Sequence, residues 1–186
     1  MKNFKKDIKL YTERFSLVAL KPHQVELVYN YVTNNINHHK HAMPHRNKAF
    51  FSFELQKLIL EEENELQKSL KMIRFYIFDK HKNNILGDII INDIQRGYVA
   101  SASIGVKIDK DSTRKGIAEE CCKEVLSFIF NGLEIYRIEA NILPKNIPSI
   151  KLFEKLGFTK EGISRGYFYT DGDWQDHLRY SLLKTD

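Results

Sequence analysis

The chain has 186 residues, 42% of them hydrophobic, a net charge of +5 and two cysteines. That length buries one good core with little left for a second, so a single domain over residues 1–186 is expected. No Lys/Arg block stands apart from ordinary surface charge, no apolar run is long enough to span a bilayer, and the charged start lacks the apolar stretch of an export leader. Direct nucleic-acid binding, a membrane and export are therefore not expected, and a cytoplasmic protein is. Cys121 and Cys122 are neighbours on one helical pattern, where a disulfide between them would be strained, and they read as reduced core residues.

In chain order, residues 8–20 read as a first strand, and Pro22 opens a helix with Val25, Val28, Val32 and Ile36 at helical spacing. Asn34 and Asn35 end it. Residues 37–47 form a conspicuous loop holding four histidines, His38, His39, His41 and His45. Zinc sites combine spaced His pairs with Cys or carboxylate partners; none is organised here, and no metal is expected. A second helix over 51–71 points Leu55, Leu58, Ile59, Leu66 and Leu70 inward and leaves Glu61 to Glu63 as a solvated face. Residues 73–79 and 85–94 form a hairpin across 80–84, and a core strand follows over 99–108.

The strand ends in a turn cluster, Asp109 to Ser112. After Gly116 the apolar residues Ala118, Cys121, Cys122, Val125, Leu126 and Ile129 mark one face of a helix. Lys115, Gly116 and Ile117 thus stand at a helix N-terminus, where free N–H groups and the positive dipole end favour phosphate. A glycine without Cβ lets a ligand come close to the backbone, and Arg114 and Lys115 add positive charge. The site suits a diphosphate. Neither G-x-x-x-x-G-K-S/T nor G-x-G-x-x-G is present, which removes the two commonest nucleotide loops.

Downstream come a strand over 135–142, then Asn146-Ile-Pro-Ser149, a short helix, Leu156-Gly-Phe158, Glu161-Gly162 and a hairpin at Asp171-Gly-Asp173 before Asp176. Asn146 suits a helix N-cap, with Pro148 and Ser149 in the first turn. The aromatic run Tyr167-Phe-Tyr169 and Trp174 flank the hairpin.

The segment Thr113-Arg-Lys-Gly-Ile-Ala118 resembles motif A, R/Q-x-x-G-x-G/A, of the Gcn5-related N-acetyltransferases (GNAT). Asn-x-x-Ser, Leu-Gly-Phe, Glu-Gly and Gly-x-x-x-Asp, in this order, resemble the RimJ/RimL branch, which acetylates the N-termini of ribosomal proteins; Tyr11 to Leu17 is similar to that branch's opening strand. The resemblance covers nearly the whole chain. It implies an α/β fold, a mixed twisted sheet of about seven strands flanked by about four helices, with the fourth and fifth strands parallel and splayed into a cleft. It also implies acetyl-CoA as co-substrate: pyrophosphate held by Arg114, Lys115, Gly116, Ile117 and Ala118, and the pantetheine arm along Val106, Lys107 and Ile108, beside Asn141 and Asn146. The Val106 N–H would meet the oxyanion. Ser149 would donate a proton to the departing thiolate, with Asn146 capping its helix and bonding the pantetheine. Met43 and His45 would line the acceptor groove, and Tyr169 and Asp176 would contact the acceptor amine.

The chain departs from the pattern in three places. Thr113 replaces the leading Arg/Gln, Phe153 stands where many relatives carry a tyrosine acid, and Ser103 and Asn141 replace carboxylates that often act as base. Either a water relay from Asp88, Asp93 or Glu139 serves, or the acceptor deprotonates easily. An α-amino group, with a pKa of about 7.7–8.0, is far easier to neutralise than a lysine at about 10.4. The expected acceptor is therefore a protein N-terminus, possibly that of a ribosomal protein. The alternatives are a small amine such as a polyamine or an antibiotic, and a non-catalytic acyl-CoA-binding module. A homodimer is among the assemblies common in relatives.

Overall fold

The computed structural model describes residues 8–40, 43–80, 84–170 and 172–186. The expected 80–84 hairpin turn, His41 of the histidine loop and Asp171 of the last turn fall wholly or partly outside these residues. Eight strands form one sheet in the order β1-β2-β3-β4-β5-β6-β8-β7, against the seven or so expected. The extra strand arises because residues 8–20 do not run straight. β1 (Lys9–Tyr11) turns back on β2 (Phe15–Val18), with Lys9 opposite Val18. Thr12 closes this turn: its Oγ1 accepts from Phe15 N at 2.9 Å and donates to Glu120 at 2.6 Å.

A 3-10 turn at Pro22–Gln24 leads into α1 (Val25–Asn34), and α2 (Ile36–His39) follows at once. α3 (Phe53–Lys68) starts at Ser52, whose Oγ accepts from Leu55 N at 3.2 Å. Its buried stripe is Gln56, Leu60, Glu63 and Asn64, so the expected inward face needs correction: Leu58 is 59% exposed, and Glu63 is buried rather than solvated. The stripe keeps helical spacing, but three of its members are polar and each finds a partner. Gln56 donates to Phe50 O, Asn64 to Leu20 O, and Glu63 accepts from Arg74. Burial of such groups is tolerable only when they are bonded.

β3 (Ile73–Asp79), β4 (Ile85–Gln95) and β5 (Ser101–Ile108) form an antiparallel meander. A bulge beyond Asn92 places Asp93 at φ 53°, and Ala100 at φ 42° delays the start of β5 from the expected Val99 to Ser101. α4 (Ile117–Ser127) crosses back to β6 (Arg137–Ile142), which is parallel to β5; α5 (Ile147–Lys155), β7 (Thr159–Thr170) and β8 (Asp173–Leu183) complete the chain. Among the described residues there are thus five α-helices, one more than expected, the addition being the short α2. The larger core packs α4 and α5 on one face of the sheet, around Cys121, Cys122, Val125 and Phe153. Both cysteines are free thiols there. A smaller core packs α1 and α3 on Tyr76 and Ile85 on the other face. Helices cover both faces, and the sheet opens where β5 and β6 part.

Candidate active site

Parallel pairing of β5 with β6 covers only Ser101 to Ser103 against Arg137 to Glu139. Beyond it β6 follows β8, with Asn141 opposite Arg179, while β5 stays with β4. Backbone groups of a strand alternate sides, and two bonds fix which side is which here. Asp109 N donates to Leu86 O of β4 at 2.9 Å, and on the other edge Ala100 O accepts from Tyr136 N at 2.8 Å. Val106 and Ile108 share the parity of Ala100, so their N–H and C=O groups face the gap. His39 Nε2–H donates to Ile108 O at 2.9 Å, and the Val106 amide is left to the cleft. The cleft encloses ≈ 470 Å³ and is lined by Val106, Lys107, Asn141, Asn146, Ser149 and His177, among others.

At one end of this cleft, the loop before α4 turns with two left-handed residues, Arg114 at φ 60° and Gly116 at φ 75°. Gly116 is the N-cap of α4, and a Cβ there would come within 3.3 Å of Arg14 Nη2. The first-turn N–H groups open on a cavity of ≈ 260 Å³ lined by Arg114, Ile117 and Ala118, and closed by Pro148, Lys151 and Lys155 of α5. Lys115 points elsewhere: its Nζ donates to Asp111 O at 2.6 Å, and its backbone C=O accepts from Arg14. Arg14 also grips Glu120 at 2.7 Å, fastening the β1–β2 turn to α4. Lys151 and Lys155 were not singled out from the sequence, although their i, i+4 spacing puts them on one face of α5; Lys155 Nζ is paired with Glu119 at 2.6 Å.

α5 brings Ser149 to the middle of the cleft. Asn146 Oδ1 accepts from Ser149 N at 3.3 Å, which is the N-cap the sequence called for. The Ser149 hydroxyl has no hydrogen bond among the described residues. Asn141 Nδ2 donates to Tyr167 OH at 3.0 Å, while its Oδ1 is buried without a partner. His177 is 5% exposed, with its ring 5.3 Å from those of both Tyr167 and Phe168. Its Nδ1 lies 3.1 Å from Gln175 O, an atom that only accepts, so Nδ1 carries the proton. Burial pushes the His177 imidazole below its ordinary pKa, against the opposing pull of Gln175 O and Asp176, and burial pushes the Tyr167 phenol up.

The opposite end opens into a second cavity of ≈ 280 Å³ between α1, α2, α3 and the sheet. Its floor is ionic. Arg74 bridges Glu63 at 2.9 Å and Asp88 at 2.5 Å; Asp88 also receives Tyr31 OH at 3.0 Å and faces Lys107 Nζ at 3.4 Å. Burial alone would raise the Asp88 carboxyl, but Lys107 and Arg74 outweigh it and hold it low; burial lowers Lys107. Met43 to His45, in the loop before α3, line the same cavity. Thr170 Oγ1 donates to Met43 O at 2.8 Å and His45 N donates to Tyr169 O at 3.0 Å, strapping the loop to the end of β7. Met43 lines both cavities and His45 the second.

The structure thus gathers Val106, Lys107, Asn141, Asn146, Ser149 and Met43 around one cleft, with Ile108, Arg114, Gly116, Ile117 and Ala118 at its α4 end. Tyr169 and Asp176 stand outside the cleft lining. Tyr169 packs on Trp174, and Asp176 accepts from Gly166 N at 2.8 Å. Their neighbours Phe168 and His177 face the cleft instead, because β7 slips register between Ser164 and Phe168 and side chains alternate along a strand. The relay carboxylates are engaged elsewhere: Asp93 accepts from Ser103, and Glu139 pairs with Arg137 and Arg179. Among the described residues no three His, Cys, Asp or Glu side chains cluster as a metal site.

The chain matches the model of the acetyltransferase (GNAT) domain over residues 14–159. It is 35% identical over 131 residues to a probable N-acetyltransferase, YjcK, of Bacillus subtilis, covering 70% of this chain and 72% of that one. It is 31% identical over 123 residues to the ribosomal protein uS5-alanine N-acetyltransferase of Escherichia coli, covering 66% and 63%. A crystal structure of the ribosomal-protein-S5-alanine acetyltransferase of Vibrio fischeri superimposes with a TM-score of 0.90 at 29% identity, over 97% of this chain and 98% of that one.

Proposed function

The chain belongs to the GNAT acetyltransferases, and from that premise we propose that it transfers the acetyl group of acetyl-CoA to the free N-terminal amine of a protein, a ribosomal protein being the first to test. In this reading residues 1–186 act as one cytoplasmic domain. The observation that carries it is the state of the carboxylates. Glu63, Asp88 and Glu139 around the cleft are each bound to arginine, and Asp93 accepts from Ser103 outside the cleft lining, so none is placed to strip a proton from a strongly basic amine. An α-amino group needs little such help, since a tenth or more is neutral near pH 7 at a pKa of about 7.7–8.0. The likeness to two uS5-alanine acetyltransferases supports the same acceptor class.

The residues present fit acetyl-CoA. The α4 N-terminus, with Gly116 in a left-handed conformation and Arg114 beside it, suits a pyrophosphate, and Lys151 on the cavity wall adds charge, while Lys155 there is paired with Glu119 at 2.6 Å. The orphaned Asn141 Oδ1 offers an acceptor to an amide N–H in the cleft. Acetyl-CoA supplies an acyl group already activated as a thioester. Val106 N–H would then face the oxygen that gains charge, a preorganised donor that no side-chain substitution removes. Ser149 would give its hydroxyl proton to the departing sulfur, whose thiol pKa of about 8.5 asks little of the donor.

The test is thiol release from acetyl-CoA across pH 6 to 9, with free-N-terminus peptides compared against N-blocked lysine peptides and spermidine. Turnover with free N-termini alone is the expected result. Preferential turnover of spermidine or of the lysine peptide overturns the acceptor assignment.

A further inference from the structure

We propose that His177 is the group that takes the proton from the attacking amine, a role that rests on the amine-acetylating reading above. The tautomer comes first. With Nδ1–H committed to Gln175 O at 3.1 Å, the lone pair of the neutral ring is on Nε2, and the described residues give Nε2 no partner. The ring is buried beside both Tyr167 and Phe168 and lines the same cleft as Ser149, Asn146 and Val106. Tyr167 is itself held by Asn141, so the imidazole is wedged against a fixed aromatic wall.

The charged neighbours leave the role to His177. From its own strand Asp176 acts on it, from β7 Tyr167, and across the cavity Lys107, Arg74, Glu63 and Arg46 line the facing wall. Glu63 is neutralised by Arg74, and Lys107 is paired with Asp88, so neither is a free proton acceptor. Burial lowers the imidazole pKa and so favours the neutral ring, the form that can accept. The step balances. The amine nitrogen forms the new C–N bond at the acetyl carbon and its proton passes to Nε2. The C–S bond breaks with its electron pair on sulfur, which takes the Ser149 proton. Solvent then removes the proton from Nε2 and restores that of Ser149.

His177→Asn tests this, because the Asn side-chain amide can keep the Gln175 bond while removing Nε2. With a free-N-terminus peptide, kcat/KM should fall about a hundredfold, within the usual range for a proton-transfer group. Wild-type kcat/KM should steepen on the acid side as the imidazole and the amine both protonate, whereas the variant should show the amine ionisation alone. Adding imidazole to His177→Ala should restore rate in proportion to the neutral imidazole. An unchanged rate and pH profile in a folded His177→Asn that binds CoA normally would overturn the role and leave the acetyltransferase reading intact. A wild-type protein that acetylates no amine would overturn both. Should the variants fail to fold, the imidazole ¹⁵N spectrum of the wild-type protein decides. Nε2 unprotonated at pH 7 and shifted by acceptor peptide supports the role; Nε2 protonated, or indifferent to peptide, overturns it.

Discussion

At the α4 end of the cleft the groups turned toward a ligand are mostly backbone: first-turn N–H groups of α4, the Gly116 turn and the Val106 amide. At the α3 end they are side chains, above all the Glu63–Arg74–Asp88–Lys107 floor. The difference governs how each end fails. A backbone site survives most substitutions and is lost only when the chain can no longer take its path. A side-chain site is lost one partner at a time, and each loss strands a buried charge.

The sharpest break should come at the ionic floor. Asp88→Ala leaves Arg74 and Lys107 facing each other, and breaking a buried pair in this way costs about 3–5 kcal/mol. Chemical denaturation should show a loss of that size. The Asp88 carboxyl is held below its ordinary range, so its contribution is full at neutral pH and disappears as pH falls through the native-state pKa. The wild-type protein should therefore lose stability in strong acid more steeply than Asp88→Ala does.

Gly116→Val comes next. A β-branched side chain at φ 75° is strained, and its Cβ would sit within 3.3 Å of Arg14. Acetyl-CoA affinity should drop at least about a hundredfold, roughly 2.7 kcal/mol by calorimetry, with the melting temperature changed far less than in Asp88→Ala. Unchanged affinity would remove the α4 end from the phosphate site. Ser149→Ala should slow turnover about tenfold, near 1.4 kcal/mol, without weakening CoA binding. A wild-type rate would reduce Ser149 to its place in the first turn of α5. Smallest is the contrast across the β7 slip. Phe168→Ala should raise KM for the acceptor a few fold, and Tyr169→Ala should leave it within about twofold, both well below the energy of a full pocket contact. The reverse order would mean that the hairpin turns its other face to the acceptor.

The α4 end was legible because its requirements are local. Gly116 and Asn146 sit where a left-handed turn and an N-cap are needed, and a short stretch of sequence displays both. The α3 end was not, because its partners are distant in sequence. Glu63 lies in an acidic run and reads as solvated until Arg74 on β3 is seen beneath it. Choosing the inward face of α3 from apolar residues alone selected Leu58 and overlooked Gln56, Glu63 and Asn64. In the hairpin the cleft is lined by Phe168 and His177 rather than by Tyr169 and Asp176, since a bulge shifts alternation without changing composition. The broken first strand has the same kind of cause: Thr12 turns the chain by bonds that include one to Glu120, far along the sequence.

The strap from Met43 to His45, bonded at two points to the end of β7, has a topological consequence. An acceptor reaching the cleft beneath this strap would have to be threaded by its tip. A lysine in the middle of a folded acceptor must bring two strands of backbone with it, and two strands do not pass where one does. On the proposed N-terminal acceptor, such a doorway would select chain ends by shape, before any proton is moved.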